Sequence, residues 1–257
     1  MTTPGDSRSK YEQVAASLRL AITQGDLDHE SPLPSEAELR ERYGVSRDTV
    51  RRAVALLTQE GLITSGQGKA RRIRSDVPFK LRMSYFESKE RRDDEMYDAW
   101  AAEVIDQGRQ PSETIEFVGI VTPPTEIAQR LKLDQEPGYA VVRRRVRFVD
   151  GQPYQLADSY FPENLARGTI LMEPQSVARP GGVLKDLKHT LIKLVDEIRI
   201  RMPTADEASR LGLPAATPVA EIIRTGIGVD EKPLRVMVTV APGDRTILEY
   251  EVTTGDA

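Results

Sequence analysis

Residues 33–74, LPSEAELRERYGVSRDTVRRAVALLTQEGLITSGQGKARRIR, divide by their own punctuation into helix, tight turn, helix and hairpin. Pro32 and Pro34 cannot sit inside a helix, whereas Ser35 with Glu38 three residues on is a capping box, so a helix starts there. Leu39 and Tyr43 give it an inner side, and Gly44 ends it with the backbone freedom a turn requires. Ser46 is the next N-cap. In the helix that follows, Val50, Ala53, Val54 and Leu57 recur at i, i+3, i+4, i+7. Arg47, Asp48, Thr49, Arg51 and Arg52 are left on the opposite arc, an apolar back behind a polar, cationic front. Beyond Gly61, Leu62-Ile63-Thr64 and Arg71-Arg72-Ile73-Arg74 read as two short strands, with Ser65 to Ala70 as a tip that carries two glycines and Lys69.

That order of parts is the layout of a winged helix-turn-helix, in which side chains at the start of the second helix reach base edges and a basic hairpin lies along the backbone. A basic amphipathic helix alone is as often a solvated surface. Here the caps, the turn and the Gly-x-Gly hairpin all agree. The charge distribution points the same way. The chain carries 36 basic and 40 acidic residues, a net charge of −4. Between Arg40 and Arg74, however, nine basic residues face three acidic ones, a local +6 in an otherwise acidic chain, which favours a single docking face.

The segment from Tyr11 to Arg74 resembles the GntR family of regulators, on LPSEAEL, GVSRDTVRRAVALLTQEGLI and SGQGKARRI. The resemblance implies that Arg47, Thr49 and Arg51 touch bases or adjacent phosphates, with Arg52 on the same front. It also implies that Ser35 and Ser46 anchor phosphates at helix N-termini, and that Gln67, Gly68 and Lys69 reach the minor groove. Ala37 stands where several family members carry arginine, which removes one phosphate contact.

The whole chain has 257 residues, enough for two modest domains, and no cysteine, which excludes disulfides, thiolate metal sites and cysteine nucleophiles. No apolar run approaches a membrane span and MTTPGDSRSK has no signal-peptide core, so a cytoplasmic protein without membrane partner is expected. Val14, Ala15, Leu18 and Ile22 predict a helix over Lys10 to Gln24 behind the reading pair. The organisation expected is a DNA-binding domain over 1–75, a charge-dense linker over 76–97 and a second domain over 98–257, opening on a helix from Asp98 to Gln107 with Trp100 in the core.

In the second domain, residues 123–162 align on 203–242 without a gap (203 − 123 = 80), with identities including Ala128/Ala208, Leu131/Leu211, Ala140/Ala220, Arg144/Arg224, Asp150/Asp230 and Pro153/Pro233. Each copy reads as a short helix (Thr125 to Leu131; Ala205 to Leu211), a strand (Tyr139 to Val149; Val219 to Val229), an Asp-x-x-Pro turn and a returning strand (Tyr154 to Phe161; Leu234 to Ala241). Two such units predict one antiparallel sheet about a pseudo-two-fold axis with a ligand cleft between copies. Strand alternation puts Arg143, Arg145 and Arg147 on one face, each about 7 Å from the next, so an anion or facing carboxylates must lie near them. Under the gapless alignment Thr225 and Ile227 take the places of Arg145 and Arg147, leaving one half equipped for an anion.

This half resembles the UTRA effector-sensing domain of the HutC branch of GntR regulators, on RVRFVDGQPYQLADSYFP, Asp206 to Leu213 and the DEKP hairpin. The resemblance implies an α+β chain: an N-terminal winged helix-turn-helix joined to a mixed α/β domain similar to chorismate lyase, dimerising through that domain around a small ligand. In sugar-phosphate sensors of the branch an Arg-x-Arg pair holds the phosphate, and Arg145 and Arg147 match it. Gly181-Gly182-Val183-Leu184 departs from the Gly-Ser-x-Tyr segment that completes such sites, and Arg235 stands where an acidic residue is common. Arg145, Arg147, Gly182 and Arg235 are therefore the candidate effector residues, for an anionic or carboxylate ligand other than a sugar phosphate. The function expected is a homodimeric regulator, a repressor, on an inverted-repeat DNA operator, with no cofactor and no metal. Two alternatives are a ligand-blind repressor of plasmid-transfer or antibiotic-type genes and a lyase-like enzyme. Against the enzyme, the two histidines, His29 and His189, have no partner at triad or metal spacing.

Overall fold

The computed structural model describes residues 8–24, 26–27, 32–60, 62–64, 72–73, 78–84, 98–133, 138–177 and 182–252. The chain divides into two compact units, Met1–Val77 with Pro214–Thr217, and Pro78–Leu213 with Pro218–Ala257.

The first unit contains α1 (Lys10–Thr23), α2 (Glu36–Tyr43), α3 (Arg47–Gln59) and the antiparallel pair β1 (Ile63–Thr64) and β2 (Arg72–Ile73), with Ile63 opposite Ile73. Helix α2 starts where the sequence places it: the Ser35 hydroxyl accepts from the Glu38 amide at 3.2 Å, and the Glu38 carboxylate accepts from the Ser35 amide at 2.7 Å. Gly44 ends it in the left-handed region at φ 61, where a β-carbon would be strained. Val14, Ala15, Leu18 and Ile22 of α1 close over Leu39 and over Val50, Ala53, Val54 and Leu57 of α3, all buried, with Ile63 completing the core. The hairpin tip, with Gln67, Gly68 and Lys69, lies outside the described residues.

The second unit opens with β3 (Phe79–Arg82) and α4 (Ala99–Asp106), then β4 (Pro111–Val121), α5 (Thr125–Arg130), β5 (Ala140–Val149) and β6 (Gln152–Pro162). There follow α6 (Glu163–Ala166), a 3-10 turn at Ile170–Met172, α7 (Val183–Asp186), β7 (Leu191–Arg201), α8 (Ala205–Arg210), β8 (Val219–Gly228), β9 (Pro233–Pro242) and β10 (Thr246–Glu249). Strand β3 falls inside the stretch read as a linker over 76–97. It pairs in parallel with β10, and Phe79 and Leu81 are buried while Lys80 and Arg82 are half-buried, a period of two that the surrounding charge conceals in the sequence.

Six strands form one antiparallel sheet in the order β4-β5-β6-β9-β8-β7, so the two halves meet at β6 and β9. There Leu156 faces Val240, Asp158 faces Val238 and Tyr160 faces Val236, a register symmetrical about the 158/238 pair, as a duplication offset by 80 requires. The repeat also reaches further back than the sequence identities do, since β4 and β7 begin 80 residues apart (191 − 111 = 80).

The gapless alignment fails at one place. Ala140 begins β5 opposite Pro162, and Val219 begins β8 opposite Pro242, so these strands are offset by 79 (219 − 140 = 79). The connection into β8 is one residue shorter than that into β5, and the stretch from the end of β8 to Pro233, 229–232, is one residue longer than that from the end of β5 to the equivalent Pro153, 150–152. Helix and return strand stay in phase while the strand between slips by one. A one-residue slip exchanges the faces of a strand. Arg145 is therefore matched by Arg224, not Thr225, and Arg147 by Gly226, not Ile227. The second copy does carry an arginine on this face.

One face of the sheet is covered by α5 and α8, with Ile127 and Leu131 on Tyr160 and Val236, and Leu211 on Leu156 and Val240. The opposite face carries two separate apolar covers. Trp100 and Val104 of α4 and Phe79 and Leu81 of β3 lie on Val149, Tyr154 and Ile222, whereas Leu171 and Leu184 lie on Val141 and Phe161. Along β5 the residues between Val141 and Val149 on this face are Arg143, Arg145 and Arg147.

Candidate functional site

The polar front of α3 is open. Arg47, Arg51 and Arg52 are exposed and Thr49 is half-buried behind them. The Ser46 hydroxyl caps the helix, accepting from the Thr49 amide at 3.2 Å and lying 2.9 Å from the Thr49 hydroxyl. Ser35 and Ser46 thus spend their side chains on helix caps, and what each helix N-terminus offers a phosphate is its remaining amides and dipole. Arg47 projects outward with 72% of its side chain exposed, and its Nε donates to Glu36 of α2 at 2.9 Å. Arg52 lies over the Tyr11 ring of α1, 4.3 Å from its centroid. Glu36 was not singled out by sequence reasoning. The signal was there: an acid at the first position of α2, with only Gly44, Val45 and Ser46 separating that helix from Arg47.

In the second unit, strand pairing places Arg143, Ser159, Met237, Arg224 and Asp196 in one row across five strands, with Arg145, Ala157, Thr239 and Ile222 in the next. Arg143, Arg147, Gln155, Ser159, Arg224 and Thr239 are all buried, a polar strip between the two apolar covers. Its members differ in what they can still do. Arg143 is a structural clamp, donating to the Leu171, Glu173 and Gln175 carbonyls at 2.8, 2.7 and 2.6 Å, and burial lowers its pKa. Arg224 forms a double hydrogen bond with Asp196 at 2.6 and 2.7 Å and donates to the Met83 carbonyl at 3.0 Å.

Arg145 and Arg147 share two carboxylates. Arg147 donates to Asp98 at 2.5 Å, and its guanidinium stands 4.9 Å from the centroid of the Trp100 ring. Arg145 donates to the Ser159 hydroxyl at 3.0 Å but reaches Asp98 and Glu113 only at 3.7 and 3.6 Å, beyond hydrogen-bond distance. Its buried Nε has no hydrogen-bond partner. Burial, and then the neighbouring Arg147, push its pKa down to about 10. The expectation that stacked arginines need an anion or facing carboxylates is met by carboxylates. The other two candidates sit on other elements: Gly182, at φ 91, precedes α7, and Arg235 lies on β9 opposite Gly226, where the first copy has Gln155.

A capped helix-turn-helix with an exposed arginine front, joined to a duplicated antiparallel sheet with a buried arginine strip, defines a DNA-binding regulator with an attached sensing domain. The chain belongs to the GntR family of bacterial regulatory proteins: residues 10–73 match that family and residues 106–247 match the UTRA domain. It is 31% identical to an HTH-type transcriptional regulator of Rhizobium meliloti, over 94% of this chain and 94% of that protein. It is 24% identical to the HTH-type transcriptional repressor NagR of Bacillus subtilis, over 93% of each. Its fold is similar to that of PhnF from Mycobacterium smegmatis, with a TM-score of 0.58 at 20% identity over 94% of this chain and 100% of that one. It is a transcriptional regulator and not an enzyme, and the lyase-like alternative falls. Among the described residues no helix is long and apolar enough to cross a membrane.

Proposed function

We propose that the protein is a homodimeric repressor whose two α3 helices read the half-sites of an inverted repeat, and which releases that operator when a small carboxylate or other anionic effector reaches Arg145 and Arg147. In this reading Arg47, Thr49 and Arg51 make the base or adjacent phosphate contacts. Arg52, the N-termini at Ser35 and Ser46, and Gln67, Gly68 and Lys69 of the hairpin tip add backbone and minor-groove contacts. Cytoplasmic placement goes with it. Two-fold pairing of heads follows from the geometry of such modules, because one recognition helix spans only a half-site. Repression is supported by the name of the Bacillus subtilis relative. The observation that carries the effector half is Arg145, a guanidinium 13% exposed whose buried Nε is unpartnered and whose acids lie only at long range. An unsatisfied buried donor costs about 1–3 kcal/mol, which a ligand oxygen would recover.

The balance of two arginines by two carboxylates favours a second reading, a repressor blind to ligands, in which the strip is a closed structural network. Footprinting upstream of the gene gives the operator, and a thermal-shift screen of anionic metabolites on wild type and Arg145→Ala separates the two. An operator-releasing anion that acts on wild type and not on the variant supports the sensor. Full repression by the variant in cells, with no stabilising anion, supports the blind repressor.

A further inference from the structure

The Asp98 carboxylate does two things at once. Its Oδ1 accepts from the Ala101 amide at 2.8 Å and so caps α4, while its Oδ2 contacts Arg147 at 2.5 Å and stands 3.7 Å from Arg145. Asp98 is also the outer member of the cluster. Its side chain is 30% exposed, against 6% for Arg147 and 13% for Arg145. Glu113, the other acid, belongs to β4, lies directly opposite Arg147 in the sheet, and is the less exposed of the two acids at 20%. Asp98 can leave by a side-chain rotation.

The helix that Asp98 caps is tied to β3 by two further contacts. Glu103, 1% exposed, accepts from Arg82 at 2.8 Å. The Gln107 side chain brackets Lys80, accepting from its amide at 3.1 Å and donating to its carbonyl at 2.8 Å. Strand β3 is the first element after the boundary at Val77/Pro78, so the chain runs from the DNA-binding unit directly into the strand that α4 holds.

Building on the effector reading above, we propose that Asp98 is an internal stand-in for the effector: its carboxylate occupies the Arg145 and Arg147 site in the unliganded protein, and a carboxylate-bearing ligand binds by displacing it. The ligand class follows from the present occupant, a carboxylate that accepts from Arg147 and stands near Arg145. Displacement removes the cap of α4 and alters its hold on β3, which gives the ligand a different affinity for the two states of the helix, as any shift of equilibrium requires.

The test uses the full chain, the operator found by footprinting, and malonate as probe. Asparagine is as good an N-cap as aspartate, so Asp98→Asn keeps α4 capped while removing the competing charge. Asp98→Asn is expected to bind malonate at least about tenfold more tightly than wild type by calorimetry, the loss of a charge-assisted competitor. Arg145→Ala/Asp98→Asn is expected to lose the malonate gain. Malonate affinity unchanged by Asp98→Asn, or a gain that persists in the double variant, overturns the proposal. If a metabolite found in the screen still acts on wild type and not on Arg145→Ala, that failure is of Asp98 as competitor only. If no anion distinguishes wild type from Arg145→Ala, the effector reading fails and takes this proposal with it.

Discussion

Arg51→Ala and Arg47→Ala are expected to weaken operator binding by different amounts, for a reason present in the unbound protein. A base-reading arginine contributes about 1–3 kcal/mol to specific binding, so Arg51→Ala should raise Kd by roughly 5- to 150-fold. Arg47 must first leave Glu36, 2.9 Å away in a pair whose side chains are 72% and 29% exposed. Breaking an ion pair that open to water costs about 0.2–1 kcal/mol. Arg47→Ala is therefore expected to lose about 0.5–2.5 kcal/mol, the same contact less the pair it gives up. Glu36→Ala, which frees Arg47 and removes an acid from the docking face, should tighten binding by at most about 1 kcal/mol, roughly fivefold. In its background, Arg47→Ala should cost the full amount. Fluorescence anisotropy on the footprinted operator at several salt concentrations measures all four corners of the cycle, and the salt slope separates roles. A lost phosphate contact lowers that slope by about 0.9 and a lost base contact leaves it nearly unchanged. Wild-type affinity and slope in both arginine variants would refute the placement of α3 on DNA.

Ser46→Ala removes the cap of α3 and should cost the first unit about 1 kcal/mol in a urea melt; no loss would mean that the Thr49 amide finds another acceptor. Arg224→Ala leaves Asp196, 12% exposed, without its double hydrogen bond and should destabilise the second unit by about 3–5 kcal/mol, whereas a change below about 1 kcal/mol would mean that the pair is solvated. Hydrogen bonding to Arg201 holds the Glu207 carboxyl down to about 2 from an ordinary 4.5. A carboxyl depressed in the folded state contributes stability that is fully present above its unfolded pKa and lost as pH falls towards its folded one. Thermal melts should therefore decline between about pH 4.5 and 2, less steeply in Glu207→Gln; identical slopes in the two proteins would discard this contribution.

The helix-turn-helix was legible because every instruction for it is local. Ser35, Glu38, Gly44, Ser46 and the Val50 to Leu57 stripe lie within 33–74, and each acts on backbone or neighbours a few residues away. The exposure of Arg47 and Arg51 followed from the same period. The duplication was legible too, because its helices, turns and return strands kept an offset of 80. The slip to 79 in β5 and β8 was not, since a shorter connection and a longer hairpin tip cancel over the length of the repeat, and only hydrogen-bond register reveals which residues face each other.

Alternation along β5 by itself determined that three arginines share a face and that something negative must meet them. What meets them was decided only by tertiary structure. Asp98 and Glu113 arrive from α4 and β4, elements far from Arg145 and Arg147 in sequence, and pattern assigns a side chain to a face without saying what is packed on that face. The same holds for Arg143, which shares spacing and strand with its neighbours yet spends its guanidinium on three backbone carbonyls. Local periodicity is written in bonds between near neighbours; the partner of a buried charge is chosen by the packing of the whole unit.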